Sequence, residues 1–312
     1  MIMSTKTVSV VMTTYNGELF LREQLDSILC QTYPIHELIV QDDCSTDNTV
    51  EIIKEYATRH PFIKLYVNEH NLGFNKNFKT AVMKATGDYV AIADQDDIWF
   101  PEKIEKQVQA IRDHDICCSP CIKGSTMENA HLYKYKFCFE NQLFASIYGH
   151  TMLCQRSFIQ NEEYWLPSIW YDWSLSIYAY LNNGVAVVNE PLNLHRQHEQ
   201  EVSQVDYDSH NILSPYINGY TKYRQLQKDS NWQLVYNLIL TNTTDKQPLV
   251  HQFCKLLLKE GLLSLFRLCC LCLKHREKVY PTRQTHGIMG AVRGFFFPFI
   301  HAYYTNIYKN CL

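Results

Sequence analysis

Long apolar runs are missing from this 312-residue chain: none reaches the roughly 18 consecutive residues of a membrane-spanning helix, so a transmembrane bundle is not expected. A basic excess is missing too. The 29 lysines and arginines stand against 32 aspartates and glutamates, and a net charge of -3 does not suit a general nucleic-acid binder, which needs cations to meet phosphates. The opening run MIMSTKTVSVVMTTYNG has one lysine before a short apolar stretch that stops at Thr13, Thr14 and Asn16, without a signal-peptide cleavage site. The expected compartment is the cytoplasm, where the 12 cysteines should be thiols rather than disulfides. Cys117, Cys118 and Cys121 cluster, as do Cys269, Cys270 and Cys272, but neither group has a second pair at zinc-ribbon or zinc-finger spacing. They are expected as small buried apolar residues. Internal repeats and low-complexity segments are absent.

What is present describes a folded globular protein, with 46% hydrophobic and 20% charged residues. The length allows one large α/β domain with an appendage, or two modest domains. Tyrosine is plentiful, with 21 residues, which suits sugar stacking among other uses. Short β-branched runs at 8–12, 37–41, 63–67 and 89–93 alternate with helical spacing at 19–29, 48–59, 74–85 and 101–114. Leu21, Leu25, Ile28 and Leu29 share one helical face; Ser45, Thr46 and Asp47 offer caps, and Pro101 suits a first turn. The order implies an α/β fold with a mostly parallel sheet flanked by helices. Further strands are expected at 116–122, 150–155, 185–188 and 192–195, with a helix at 170–181 stopped by Asn182-Asn183-Gly184. Beyond about residue 205 the β signals fade and a helical extension is expected to the end.

In such sheets ligands gather beyond the C-terminal ends of the strands. Three polar clusters fall there: Thr13-Thr14-Tyr15-Asn16, Asp42-Asp43, and Asp94-Gln95-Asp96-Asp97. The last crowds three carboxylates into four residues, and in an extended segment Asp94 and Asp96 share a face. Crowded anions repel, and a divalent cation relieves the repulsion. Oxygen ligands suit Mg2+ or Mn2+. An isolated DxDD also occurs as a solvated, helix-capping turn; its alignment with the other two clusters favours metal.

These residues carry a resemblance. VSVVMTTYNGELFLREQLDSILCQTYPIHELIVQDDCSTDNT, NEHNLGFNKNF, GDYVAIADQDDIWFPEKI, YGHTMLCQRSFI and YDWSLSIYAYLNNGVAVVNEPLNLHRQH resemble glycosyltransferase family 2 over about the first two thirds of the chain. The DQDDIW and HRQH forms are most similar to bacterial rhamnosyltransferase-type members that build surface polysaccharides. The resemblance implies a GT-A fold and an inverting transfer from a nucleotide diphosphate sugar, UDP- or dTDP-linked, to a hydroxyl of a glycan or lipid-linked acceptor. It implies that Thr13, Tyr15 and Asn16 line the donor site and that Asp43, with Asp42, meets the base. Gly73, Lys76 and Asn77 would lie beside the donor, where an ammonium meets phosphate. Asp96 would ligate the metal with help from Asp94, His198 would stand near metal and diphosphate, and Asp172 would be the general base. Arg196 is a candidate to reach the diphosphate bidentately. Two departures stand out: Tyr171 precedes Asp172 where Glu is common, and His195 replaces a usual Tyr, which leaves His195 or His198 as the donor-site histidine.

The implied organisation is a catalytic domain over 1–205, with a donor half to about 115 and an acceptor half from 116, followed by a helical extension over 206–312. Within it, 255–274 (KLLLKEGLLSLFRLCCLCLK) reads as a basic amphipathic helix, with Lys255, Lys259, Arg267 and Lys274 near one stripe. GFFFPFI, near 294–300, is too short to span a bilayer and is interrupted by Pro298. A peripheral contact with the cytoplasmic face of the inner membrane is one expectation; packing on the catalytic domain or a dimer contact is the other. Two different functions remain as alternatives. A sugar-nucleotide nucleotidyltransferase would release pyrophosphate, but no glycine-rich phosphate loop with a following basic residue stands near the N-terminus. A non-catalytic subunit of a polysaccharide assembly complex would not need Asp96 and Asp172.

Overall fold

A computed structural model describes residues 6–133, 135–167, 169–198, 213–243, 247–280 and 285–309. The chain runs β1 (Val8–Thr14), α1 (Leu21–Leu29), β2 (Glu37–Asp42), α2 (Thr49–Arg59), β3 (Ile63–Val67), α3 (Phe74–Val82) and β4 (Tyr89–Ala93). It continues through β5 (Ile98–Trp99), α4 (Lys103–Ile111), β6 (Ile116–Cys118), β7 (Ile122–Gly124), β8 (His131–Leu132), α5 (Phe139–Gln142), β9 (Leu153–Gln155) and α6 (Arg156–Ile159). Then come α7 (Tyr171–Leu181), β10 (Val185–Val187) and β11 (Asn193–Arg196). The helices α8 (Ser214–Leu226), α9 (Ser230–Asn242), α10 (Pro248–Leu258), α11 (Leu262–Lys274), α12 (Arg276–Val279), α13 (Gly287–Phe295) and α14 (Phe297–Lys309) follow.

Seven strands form one sheet in the order β10-β6-β9-β4-β1-β2-β3. Strands β4, β1, β2 and β3 are parallel, and β9 runs antiparallel between β4 and β6. The central strands are apolar on both faces and buried almost throughout, as a parallel sheet covered by helices requires. Thr14 lies opposite Asp42 and Met12 opposite Ala93, so the segments leaving β1, β2 and β4 emerge from one sheet edge. A second sheet, β5-β11-β7-β8, brings Asn193–Arg196 beside both the strand after the acidic cluster and β7.

Strands expected at 63–67 and 89–93 are found with those bounds. The single strand expected at 116–122 is instead two, β6 and β7, in different sheets. Pro120 lies between them, and a proline cannot donate to a ladder. The stop after α7 is real: Gly184 has φ 86° and its N–H donates to Ala179 O at 2.7 Å, closing the helix. The free thiols of Cys117, Cys118, Cys121, Cys269 and Cys272 are buried, whereas Cys270 is exposed. Burial pushes the Cys117 and Cys121 thiols up to about 12, which makes them inert packing groups.

The chain divides into two compact units, one of Met1–Tyr133 with Ser146–Gln197 and one of Lys134–Ala145 with His198–Leu312. The expected boundary at 205–206 lies outside the described residues. In the second unit α5 is held by α12: Asn141 Nδ2 donates to Val279 O at 3.3 Å, and Lys278 pairs with Glu140 at 2.7 Å. The continuous helix expected over 255–274 is two helices, α10 and α11. Gly261 separates them with φ 110°, a value no L side chain adopts easily. Among the described residues no helix is long and apolar enough to cross a membrane.

At the opposite end of β1 from the polar clusters, Glu37 is buried. It accepts hydrogen bonds from Ser9 Oγ (2.7 Å) and Thr86 N and Oγ1 (both 2.7 Å), and pairs with Lys64 (2.7 Å). Burial alone would raise its carboxyl, but Lys64, Ser9 and Thr86 outweigh it and hold the group down to about 2. An acid depressed on folding contributes stability above its unfolded value, and loses it as pH falls through about 4 towards 2. Glu37→Gln is therefore expected to cost on the order of 2 kcal/mol at pH 7 and almost nothing near pH 2, read from denaturant unfolding at both.

Candidate active site

The three polar segments are tied to one another at the sheet edge. Asp42, fully buried, accepts from Thr14 Oγ1 (2.8 Å), Ser45 N (2.8 Å) and Ser45 Oγ (2.6 Å). Asn16 takes φ 48°; its N–H donates to Ser45 Oγ (2.9 Å) and its side-chain oxygen accepts from Thr46 N (2.8 Å). Gln95, inside the acidic cluster, brackets Tyr15: it accepts from Tyr15 N at 2.9 Å and donates to Tyr15 O at 3.1 Å. Gly17 has no Cβ because the Gln95 amide occupies that space.

Several residues expected to meet the donor therefore have other duties. Asp42 and Asn16 fasten loops. Asp43 accepts from Asn68 Nδ2 (2.7 Å), Leu72 N (2.8 Å) and Gly73 N (3.0 Å), so it clasps the segment leading into α3. Gly73 supplies the φ of 77° at the start of that helix. Asn77 is buried, donating to Gln41 O (3.0 Å) and accepting from Asn68 (2.8 Å), which pins α3 to β2. Thr13 is half-buried, while Tyr15 and Lys76 are exposed. Lys76 makes no ion pair with any described residue, which leaves its ammonium open to an anion.

Arg196 does not stand free for a diphosphate. Its guanidinium is buried and donates to Glu23 Oε2 (2.6 Å), Asp96 O (3.0 Å) and Ser125 O (3.3 Å), with the Phe20 ring 4.8 Å away. It clamps the backbone of the acidic cluster between α1 and the segment after β7.

The three aspartates of the cluster occupy different surroundings. Asp97 is fully buried and approached by four donors: His150 Nδ1 (2.9 Å), Asn193 Nδ2 (3.1 Å), His195 Nδ1 (3.3 Å) and Arg196 N (3.3 Å). Burial would raise its carboxyl, but His150 and His195 outweigh it and hold the group well below the usual range. Burial also presses His150 down to about 4, against the pull of Asp97, so the imidazole is neutral at neutral pH. The His150 and His195 rings stack at 4.7 Å, and Tyr148 stacks on His150 at 5.5 Å. Lys103 is completely buried as well, its ammonium 5.0 Å from the Trp99 ring and without a hydrogen bond among the described residues. Burial lowers it to about 8, with Asp97 opposing.

Asp94 differs. It is half-buried, and its carboxylate accepts no hydrogen bond from any described residue; only its backbone oxygen does, from Gln24 Nε2 at 2.8 Å. Burial, then repulsion from Asp97, Asp96 and Asp172, raises it well above the usual range. Asp96 is half-buried on the same loop. Two sets of side chains can thus be weighed for a divalent cation. Asp97, His150 and His195 bring ligand-type atoms within 4.8 Å of one another. They are already mutually hydrogen-bonded and closed in, whereas a site for a diphosphate-bound cation needs open oxygen ligands. Asp94 fits that chemistry, a half-buried carboxylate with no donor among the described residues and repelled by its neighbours, and Asp96 is half-buried beside it. His198, the third expected ligand, groups with the second unit.

Asp172 lies in the first turn of α7, only 8% exposed, and accepts from Trp173 N at 2.7 Å. The helix cap is Trp170, so Asp172 is not the capping residue. Burial pushes its carboxyl up to about 7, against hydrogen bonds from Trp173, Ser146 and Gly149. Tyr171 anchors it, packed on Phe78 (4.7 Å) and Trp165 (5.6 Å), with its hydroxyl filling the space a side chain at Gly149 would take. Asp172 and Asp94 are close enough for their charges to repel. Sequence reasoning gave no role to His150, Asn193 or Lys103. An isolated histidine or asparagine carries no local signal of a partner as distant in sequence as Asp97, and nothing in the sequence marks Lys103 as buried.

The sequence matches the glycosyl transferase family 2 profile over residues 9–165, half of the chain. The chain belongs to that family. It is 44% identical over 108 residues to EpsE of Bacillus subtilis (strain 168), which carries a provisional glycosyltransferase name; the match covers 34% of this chain and 39% of EpsE. It is 38% identical over 109 residues to WfgD of Escherichia coli, a UDP-Glc:alpha-D-GlcNAc-diphosphoundecaprenol beta-1,3-glucosyltransferase, covering 35% of this chain and 42% of WfgD. The chain thus matches about two fifths of the length of these curated relatives. Among solved structures, S. aureus TarS 1-349 in complex with UDP-GlcNAc has a TM-score of 0.58 at 19% identity, over 96% of this chain and 92% of that one. The mannosyltransferase PcManGT from Pyrobaculum calidifontis, with GDP-Man and Mn2+, has a TM-score of 0.53, covering 97% of this chain and 88% of that one. These likenesses establish a GT-A-like fold. The family 2 profile takes in Thr13, Asp43, Asp94, Asp96 and His150, and ends before Asp172 and Arg196.

Two outcomes follow for this family 2 chain. Arg196→Lys keeps the charge but loses the planar fork that meets Glu23, Asp96 O and Ser125 O together, so turnover should fall about tenfold and the unfolding midpoint should drop as well. Asp172 is an acid raised on folding, so it costs stability as pH climbs from about 4 to about 7. Asp172→Asn should therefore be more stable than the parent at pH 8, on the order of 2 kcal/mol, and not at pH 4, by denaturant titration.

Proposed function

We propose that this chain is an inverting sugar transferase of bacterial surface-polysaccharide assembly. It moves a hexose or deoxyhexose from a UDP- or dTDP-linked donor to a hydroxyl of a glycan or lipid-linked acceptor. The observation that carries the reading is the approach of two unlike carboxyls: Asp172, poised near neutrality, and Asp94, whose carboxylate has no donor among the described residues and which shares its loop with Asp96. The first unit supplies both and is read as the catalytic one.

Asp172 takes the acceptor proton as the hydroxyl oxygen bonds to the anomeric carbon. The bond from that carbon to the diphosphate oxygen breaks on the opposite face, and the nucleoside diphosphate leaves with the electron pair. Proton transfer of this kind contributes about 10²–10⁴-fold. Asp94 and Asp96 would hold Mn2+ or Mg2+, which supplies Lewis-acid stabilisation of the departing diphosphate. Lys76, exposed and unpaired in the first turn of α3, offers a second positive charge to that group. Thr13 and Tyr15, at the sheet edge, face the nucleoside. Support for the donor class comes from TarS and PcManGT, solved with UDP-GlcNAc and with GDP-Man and Mn2+. Support for a lipid-linked acceptor comes from the name of WfgD.

The test is release of nucleoside diphosphate from a panel of UDP-, dTDP- and GDP-sugars with Mn2+ or Mg2+. Asp96→Asn and Asp172→Asn should each lower turnover at least about 10²-fold while folding normally. Turnover should rise with pH through about 7 and level off, because Asp172 acts only when ionised. Pyrophosphate as the product, or parental rates from either variant, would overturn the assignment.

A further inference from the structure

In the second unit α11 and α13 pack against each other, and the Phe266 ring meets Phe295 edge-on at 5.9 Å. Around this contact both helices leave large apolar side chains in the open. Leu262, Leu263 and Phe266 of α11 are 57–73% exposed, and Ile288, Met289 and Val292 of α13 are 38–84% exposed. Single exposed apolar residues are ordinary; six on two touching helices are not.

The charges beside them have one sign. Neither α11 nor α13 contains an aspartate or glutamate. Arg267 and Lys274 project from α11, Arg293 from α13, and Lys259 precedes α11; none has a carboxylate partner among the described residues. Glu260, the acid next to Lys259, is already paired with Arg224 at 2.9 Å. The two acids nearest the face are both engaged, Glu260 by Arg224 and Glu277 by His286 at 3.6 Å, so an apolar centre whose own helices carry cations and no acid matches a surface with apolar depth beneath anionic groups. A second copy matches poorly, since a symmetrical pairing would set one cationic face against another with no acid on either α11 or α13 to offset it. Helices of 13 and 9 residues are too short to span, so they would lie along such a surface.

We propose that α11 and α13 form a docking face for an anionic phospholipid bilayer, with Leu262, Leu263, Phe266, Ile288 and Met289 entering the head-group region and Arg267 and Arg293 meeting lipid phosphates. This deepens the reading of a lipid-linked acceptor by stating how the enzyme is held near it, although the surface itself is argued from the two helices alone.

The test is flotation of the full chain with phosphatidylcholine vesicles, with or without phosphatidylglycerol and with no acceptor lipid present. The chain should float with the anionic vesicles, less so at high salt, and little with the neutral ones. Leu262→Gln with Leu263→Gln and Met289→Gln, and separately Arg267→Glu with Arg293→Glu, should each cut the bound fraction at least about fivefold. Both variants alter side chains largely in solvent, and circular dichroism checks their fold. Failure of the parent to float, or unchanged flotation of both variants, overturns the proposal. So does a dimer in light scattering that the same substitutions dissolve. Donor turnover without vesicles is read on the same preparations, so loss of the enzymatic reading and loss of the docking reading give different results.

Discussion

Asp97 sits fully buried where the acidic loop meets the second sheet, and the conformation of that loop depends on it. His150, Asn193, His195 and the Arg196 backbone all converge on this one carboxylate. An ion in that setting persists only if its surroundings supply hydrogen bonds, and removing them one by one would leave a charge stranded in apolar protein. The knot joins the end of β4 to β11, and with Arg196 gripping Asp96 O it gives the acidic loop one conformation. Asp94 is thereby held with its carboxylate outside the knot.

The consequence is a division of labour among like residues. Asp97 is satisfied and silent. Asp94, three residues earlier on the strand side, has no donor to its carboxylate among the described residues and bears the repulsion of its neighbours. Asp172, from a helix almost eighty residues further on, is neutralised by burial until near neutral pH. Carboxylates whose environments drive their ionisation apart are the usual basis for assigning acid, base and ligand roles within one cleft. Here the environment, rather than residue type, sets the three carboxyls apart.

Much of the architecture was legible before any coordinates, because it rests on patterns local to the chain. Apolar β-branched runs such as 63–67 and 89–93, and the Asn-Asn-Gly stop after α7, each declare themselves within a few residues. The placing of polar clusters at one edge followed from topology. What failed was non-local. Asp42, Asn16 and Asn77 resemble ligand-binding residues in sequence, yet each is engaged by a partner that only folding brings near. The same reason hid His150. The break at Gly261 was missed because 255–274 keeps a helical rhythm through the glycine, and a φ of 110° leaves no trace in hydrophobic spacing. Pro120 was a readable signal for the break between β6 and β7 that the run of apolar residues obscured.

The grouping of Lys134–Ala145 with the C-terminal helices sets an order of events during synthesis. Asn141 waits for Val279, 138 residues later, before its side chain finds its acceptor, whereas β1 to β4 can pair as soon as they emerge. A nascent chain halted after β11 would hold its parallel sheet while α5, with Phe139 and Leu143 unsheltered, stayed adhesive to neighbours. Removing the helical unit by truncation is therefore no clean excision: it would expose a greasy stub in the middle of the remaining protein.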